Sequence, residues 1–300
     1  MILKIVASLR KSRRSNNQMM YNAIYKTLIF IVKFIPMDYN GYIHKFCTYL
    51  LSDVFSYRKK VITQNLNATL FSDQPAKLEA VVKEYYKNLT AYILESIQLF
   101  AKDLSWFKGR IQYNGLDEIR RCLSSSSVIV IGSHMGNWEW SAVLFPPMTQ
   151  LPAYAVYKPL SNKSLDVPVK ASRSRFGLGL LNMKEVIRFM HKKHDPAVFF
   201  FVSDQSPADV TSGSWHTFLG KETLFYDGPA LLSQKYGLPV FIQTISRIHG
   251  STYTVNFERI QNPDITGSFV QNLEEAIIKQ PEAWLWSHKR WKHKKTGDIQ

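Results

Sequence analysis

Cysteine is scarce in this 300-residue chain, with only Cys47 and Cys122 present, 75 positions apart and in no CxxC pattern. That excludes a disulfide scaffold and a cysteine-based zinc site, and a reducing compartment is the simpler expectation. Acids are also few: 23 Asp and Glu stand against 38 Lys and Arg, for a formal charge of +15. Glycine (14) and proline (13) are too sparse for a collagen-like or low-complexity chain. Neither GxSxG nor HExxH occurs, which removes the nucleophile-elbow hydrolases and the common zinc-protease pattern. No uncharged apolar run reaches the roughly 20 residues needed to span a bilayer. A composition that is 45% hydrophobic and 20% charged nevertheless supports a full core, in one large domain or two ordinary ones.

The surplus of positive charge suits an anionic partner: nucleic acid, an anionic membrane or an acidic protein. Its placement narrows the choice. Residues 1–14 carry five cations and no acid, with no small-residue cleavage site of an export signal after the short apolar start. A second cluster, Lys289, Arg290, Lys292, Lys294 and Lys295, is interleaved with Trp291 and His293. Between them, Met19–Ile35 is almost all apolar apart from Asn22, Lys26 and Lys33, which fall within about 40° of one another at helical periodicity. One narrow polar stripe on an apolar helix fits a helix lying in the membrane interface, its lysines reaching the headgroups.

The chain up to about residue 105 reads as helical, including a long amphipathic helix over 77–100 and a basic connector starting at Tyr57-Arg58-Lys59-Lys60. From about 106 to 300, short β-branched and aromatic runs alternate with helical stretches. Strands are expected at 127–131, 153–157, 197–202, 240–247 and 253–259, and helices at 183–193, 229–236 and 268–280. The implied fold is α/β, a mostly parallel sheet flanked by helices with a helical N-terminal membrane-associating extension, the whole forming one integrated domain.

The chemistry concentrates in Val128–Glu139. A buried strand runs into Gly132-Ser133, His134 follows at its carboxyl end, where open α/β sheets place ligands, and Asn137 is a good N-cap for a helix starting at Trp138. Glu139 then falls in that helix's first turn. On a continuous helix His134 and Glu139 would diverge by about 140°, but a turn between them lets them fold together. A carboxylate on one ring nitrogen fixes the tautomer and leaves the other nitrogen as a base for a hydroxyl attacking an acyl carbonyl. With no nucleophile motif at hand, direct transfer without an acyl-enzyme is the expectation.

His134-x4-Glu139 resembles the motif of the glycerolipid and lysophospholipid acyltransferase superfamily, and further stretches resemble one branch of it, the bacterial lipid A secondary acyltransferases. Those stretches are Tyr57-Arg-Lys-Lys-Val61 with Asn65-Leu66, Tyr157-Lys158-Pro159-Leu160, Arg173-x-Arg175-x-Gly177, Asp204-Gln205, Phe218-Leu219-Gly220, Gly228-Pro229-Ala230 and Pro281–Lys292. They run in order from about 20 to 293. Lys158 stands where the family commonly has Arg, and Gly213–Lys221 departs from its Phe-Phe-Gly pattern.

The resemblance implies acyl transfer from a fatty acyl thioester to a hydroxyl of a lipid A precursor at the cytoplasmic face of the inner membrane. Acyl carrier protein is the expected carrier and coenzyme A the alternative, with no cofactor and no metal. His134 would be the base and Glu139 its orienter. Arg173 or Arg175 would hold phosphate or stabilise the oxyanion, Lys158 would bring charge to substrate phosphate without a bidentate fork, and Asp204 and Gln205 would line the same cleft. Trp284 and Trp286 are assigned to packing. The partners implied are acyl carrier protein, an anionic lipid and the membrane surface. Other lipid acceptors, such as a lysophospholipid, aminolipid or glycolipid, remain open. A basic nucleic-acid-binding protein is the reading from a different class, without any helix-turn-helix, RNP or KH signature to support it.

Overall fold

The computed structural model describes residue 27 and residues 39–159, 163–192 and 195–295. Apart from residue 27, the expected interfacial helix at 19–35 lies outside the described residues, as does the basic leader. Among the described residues no helix is long and apolar enough to cross a membrane.

The helices that matter for the site are α1 (Tyr42–Tyr49), α2 (Lys59–Asn67), α3 (Pro75–Ala101), α4 (Trp138–Val143), α5 (Lys163–Ser174) and α6 (Ile265–Lys279). A π-turn, Leu50–Val54, continues α1. The basic stretch expected as a connector instead opens α2. Arg58 takes a left-handed conformation (φ 52°) just before it, and helical bonds begin with Ile62 N–H to Arg58 O.

Seven strands form one sheet: β1 (Ile111–Asn114), β2 (Val128–Gly132), β3 (Ala153–Tyr157), β4 (Gly179–Asn182), β5 (Val198–Val202), β8 (Val240–His249) and β9 (Thr252–Arg259). Between β5 and β8, β6 (Gly213–Phe218) and β7 (Lys221–Tyr226) make a separate hairpin. The sheet order is β1-β9-β8-β2-β5-β3-β4. Within this sheet β8 and β9 pair antiparallel and the other described pairings are parallel.

The central strands explain their composition. All of β2 (Val-Ile-Val-Ile-Gly) is buried, because helices cover both faces. Val128 and Val130 join one core with Phe200, Trp140 and Tyr253; Ile129 and Ile131 join the other with Phe199, Tyr85 and Trp286. This is the alternation a pleated strand imposes. Burying each such side chain contributes roughly 1.5–3 kcal/mol of transfer free energy.

The five expected strands all form, and 153–157 coincides with β3. Of the helix expected at 183–193, Val186–Met190 forms; β4 ends at Asn182, and residues 183–185 make the turn that leaves it. In the hairpin, Leu219 and Gly220 both take positive φ (50° and 73°), the two-residue turn whose twist matches paired strands.

Candidate active site

The site forms where β2 and β5 end side by side. Their parallel register pairs Gly132 with Val202, so the residues two positions beyond, His134 and Asp204, emerge together. Asp204 grips His134 twice. Its Oδ2 accepts the His134 backbone N–H at 2.9 Å, and its Oδ1 lies 2.6 Å from ring Nδ1. Trp284 adds a third bond, Nε1–H to Oδ2 at 2.7 Å. Asp204 is 2% exposed. Burial alone would raise its carboxyl; the electrostatic pull of the adjoining His134 ring, the bonds from that ring and its backbone, and the Trp284 N–H outweigh that and hold the pKa down at about 2.

An ionised Asp204 on Nδ1 fixes the ring with its proton on that nitrogen and its lone pair on Nε2. Gln205 Nε2 lies 3.1 Å from that Nε2, so the amide donates to the lone pair in this state. Trp138 packs edge-on against the ring, centroids 5.0 Å apart. A base held in one tautomer, with an apolar wall and a displaceable polar cap, can accept a proton from an approaching hydroxyl.

Glu139 was expected to be the ring's partner, and here the structure corrects the expectation. Asn137 caps α4 as foreseen, its side chain accepting Trp140 N–H at 3.0 Å. Glu139 then sits in the first turn of α4, with both carboxylate oxygens taken by Arg173 of α5: Nε donates to Oε2 at 2.9 Å, and Nη2 to Oε1. Burial would raise Glu139's carboxyl, but the Arg173 guanidinium lowers it. The physical reason is geometric. A carboxylate on the strand adjoining β2 reaches Nδ1 directly, and a bidentate arginine fork is a better match for Glu139.

Arg175, expected to bind phosphate, is engaged elsewhere. Its guanidinium donates to Leu99 O (3.3 Å), Lys102 O (2.7 Å) and Asp103 Oδ1 (3.0 Å), capping the carbonyl end of α3. Lys158 is exposed just past β3.

Comparison with known proteins gives the family. The family described as bacterial lipid A biosynthesis acyltransferase matches residues 9–293. The chain belongs to that family. It is an acyltransferase. Relatives include the lipid A biosynthesis palmitoleoyltransferase of Escherichia coli (strain K12) and a lipid A biosynthesis acyltransferase of Shigella flexneri. Each is 20% identical over 255 residues, covering 80% of this chain and 81% of the relative.

Two supports of this acyltransferase's site escaped the sequence reading. The first is a buried polar knot beneath the His134 turn. Glu95, 1% exposed, accepts Asn137 Nδ2 (2.8 Å) and Tyr253 O–H (2.6 Å) on one oxygen and Arg247 Nη1 (2.8 Å) on the other. Its backbone carbonyl accepts Trp140 Nε1–H at 2.9 Å. Arg247 is itself stacked over the rings of Tyr39 and Tyr253, 4.5 and 4.6 Å from their centroids. Glu95's signal was an acid among the apolar residues of α3.

The second support is a strap formed by residues 284–290. It pairs with the His134 turn through Leu285 N–H to His134 O (3.1 Å), and Trp284 reaches Asp204. Two residues from early in the chain, at the start of and within α2, clamp it. Asn65 Nδ2 donates to Trp286 O and His288 O, both at 2.9 Å; Arg58 Nη1 donates to Ser287 O at 2.6 Å. The packing role assigned to Trp286 fits its burial, but Trp284 does more than pack. Arg290, counted among the basic tail residues, is 2% exposed, over the ring of Phe225 (4.2 Å) and bonded to Ser206 Oγ (3.2 Å). Burial lowers its pKa to about 10 against the pull of Asp204.

Proposed function

We propose that this acyltransferase moves a fatty acyl chain from a thioester on acyl carrier protein to a hydroxyl of a lipid A precursor, at the cytoplasmic face of the inner membrane. The observation that carries the chemistry is the 2.6 Å contact between His134 Nδ1 and the buried Asp204 carboxylate. In the reaction the acceptor hydroxyl displaces Gln205 from His134 Nε2 and gives its proton to that nitrogen. Its oxygen bonds to the thioester carbonyl carbon, forming a tetrahedral oxyanion. Collapse breaks the C–S bond, and the departing thiolate takes the proton back from Nε2–H. No acyl-enzyme forms.

Asp204 thus takes the orienting role first given to Glu139, and stabilises the imidazolium that forms between the two proton transfers. The Gln205 amide, once displaced, is a donor beside the reacting carbonyl. Glu139 holds the Arg173 guanidinium rigid near the reacting groups, as a preset cation for an anionic acceptor. The names of the E. coli and S. flexneri relatives support lipid A as the acceptor class.

The test incubates purified protein with acyl carrier protein thioesters and a tetraacylated lipid A precursor, and in parallel with lysophospholipid. Transfer to the first is expected, falling by about 10²–10⁴-fold in His134→Ala, the range general acid–base catalysis supplies. Undiminished transfer by His134→Ala would sink the mechanism. Transfer only to lysophospholipid would reassign the acceptor.

A further inference from the structure

One surface of the helical region is out of character for a face in water. On α1 and the π-turn after it, Tyr42, Phe46, Tyr49, Val54 and Phe55 are between 52% and 93% exposed. The first three recur at helical spacing and share one side of α1. The opposite side is already satisfied: His44 is buried, its Nε2–H given to Lys87 O at 2.9 Å. The aromatic ridge is therefore a second apolar face with no cover from the described residues.

Its charge tells what it meets. Lys45 lies within the ridge and Lys59 and Lys60 follow Phe55 by four and five residues; all three are exposed, and none is in an ion pair among the described residues. Between residues 39 and 60 there are four cations and a single acid, Asp53. Aromatic and lysine side chains together suit a headgroup layer, where rings sit at the polar–apolar boundary and ammonium groups meet lipid phosphates. A protein partner would disfavour the lysines, which are depleted from protein interfaces.

The ridge is also tied to the rim of the site at both ends. Ahead of α1, Tyr39 donates to Glu84 (3.2 Å) on α3 and lies under Arg247, which extends past the point where β2 ends. After the ridge, Tyr86 O–H donates to Tyr57 O (2.9 Å), and Arg58 holds Ser287, three residues past the Trp284 that bonds Asp204.

We propose that the ridge Tyr42–Phe55, with Lys45, Lys59 and Lys60, is a membrane-docking surface built into the folded body, which seats the protein on anionic phospholipid at the rim of its site. This deepens the reading of the acceptor as a membrane lipid and rests on it.

The test is sedimentation of the full chain with vesicles of phosphatidylglycerol and phosphatidylethanolamine. No acyl donor is present, so a failure of the transfer chemistry would leave the measurement unaffected. The triple variant Tyr42→Ser/Phe46→Ser/Tyr49→Ser is expected to bind about tenfold more weakly, with an unchanged thermal midpoint, since it removes apolar insertion alone. Lys45→Gln/Lys59→Gln/Lys60→Gln is expected to lose the preference for anionic over zwitterionic vesicles. Vesicle binding by the triple variant equal to that of the unmodified protein would overturn the proposal. So would a fall in its oligomeric mass by light scattering without any loss of vesicle binding, which would make a second copy the occupant.

Discussion

The pairing of His134 with Asp204 makes Asp204→Asn the most informative single change. Three donors converge on the carboxylate: the His134 backbone N–H and Trp284 Nε1–H on Oδ2, and the ring Nδ1–H on Oδ1. Asparagine has one oxygen to offer. Placed at the Oδ2 position it keeps two bonds; placed at Oδ1 it keeps one and turns its NH₂ toward two fixed N–H groups. The difference is one net hydrogen bond, about 1 kcal/mol, plus about 1–3 kcal/mol for each buried donor left unmet. The first orientation therefore wins. Its NH₂ then donates to Nδ1, and the ring proton moves to Nε2, the atom that should accept.

The fold is kept and the base is lost. The equivalent change in a Ser-His-Asp triad lowers turnover about 10⁴-fold. A loss of about 10³–10⁴ is expected here, or about 4–5.5 kcal/mol of transition-state stabilisation. Single-turnover acyl transfer measures the rate, and ¹⁵N NMR of the histidine ring reads the tautomer. Glu139→Gln, which frees Arg173 but leaves Nδ1 alone, should lower transfer without moving the tautomer. The reasoning fails if Asp204→Asn keeps the Nδ1–H tautomer, or stays within a few-fold of full rate while Glu139→Gln abolishes transfer.

Two further outcomes follow from the supports of the site. Arg247→Met strips Glu95 of its guanidinium partner and leaves a buried charge, so a loss of about 3–5 kcal/mol is expected in urea unfolding, with Asn137 and the His134 turn loosened; a loss under 1 kcal/mol would show that the knot does not hold the turn. His288 is held neutral in the fold, since burial lowers its pKa to about 4 from an unfolded value near 6.5. Its folded pKa lies below the unfolded one, so the unfolded chain takes the proton first as pH falls. This part of the stability is full above about pH 6.5 and declines toward pH 4. His288→Gln should flatten the unfolding-midpoint profile over that window; an unchanged slope would refute the assignment.

Much of this architecture was legible because local rules and burial agreed. Ser127–Ile131 read as a buried strand, Ala197–Val202 as a central one from its unbroken apolar run, and Asn137 as a cap from its place before Trp138. His134 and Asp204 were both recognisable at strand ends. Their partnership was not, because it depends on β2 and β5 being neighbours in one register, a fact spread over 70 residues of chain. Glu139 looked like the better partner because it was near in sequence, whereas Arg173 claims it through α5. Arg175 shows the same limit in reverse: two residues from Arg173, it turns to the end of α3. Strands β1 and β4, four residues each, carry too little pattern to stand out from their flanks.

The strap has a consequence for how the protein is made. Asp204 is secured by Trp284, a residue 80 positions later in the chain. At about 5–20 residues per second, translation needs roughly 4–16 s to pass from one to the other. During that interval the whole sheet can emerge and pair while the carboxylate still lacks one of its three donors and the Asn65 and Arg58 clamps have nothing to hold. The transferase centre is therefore among the last parts of the molecule to mature, after the scaffold that carries it.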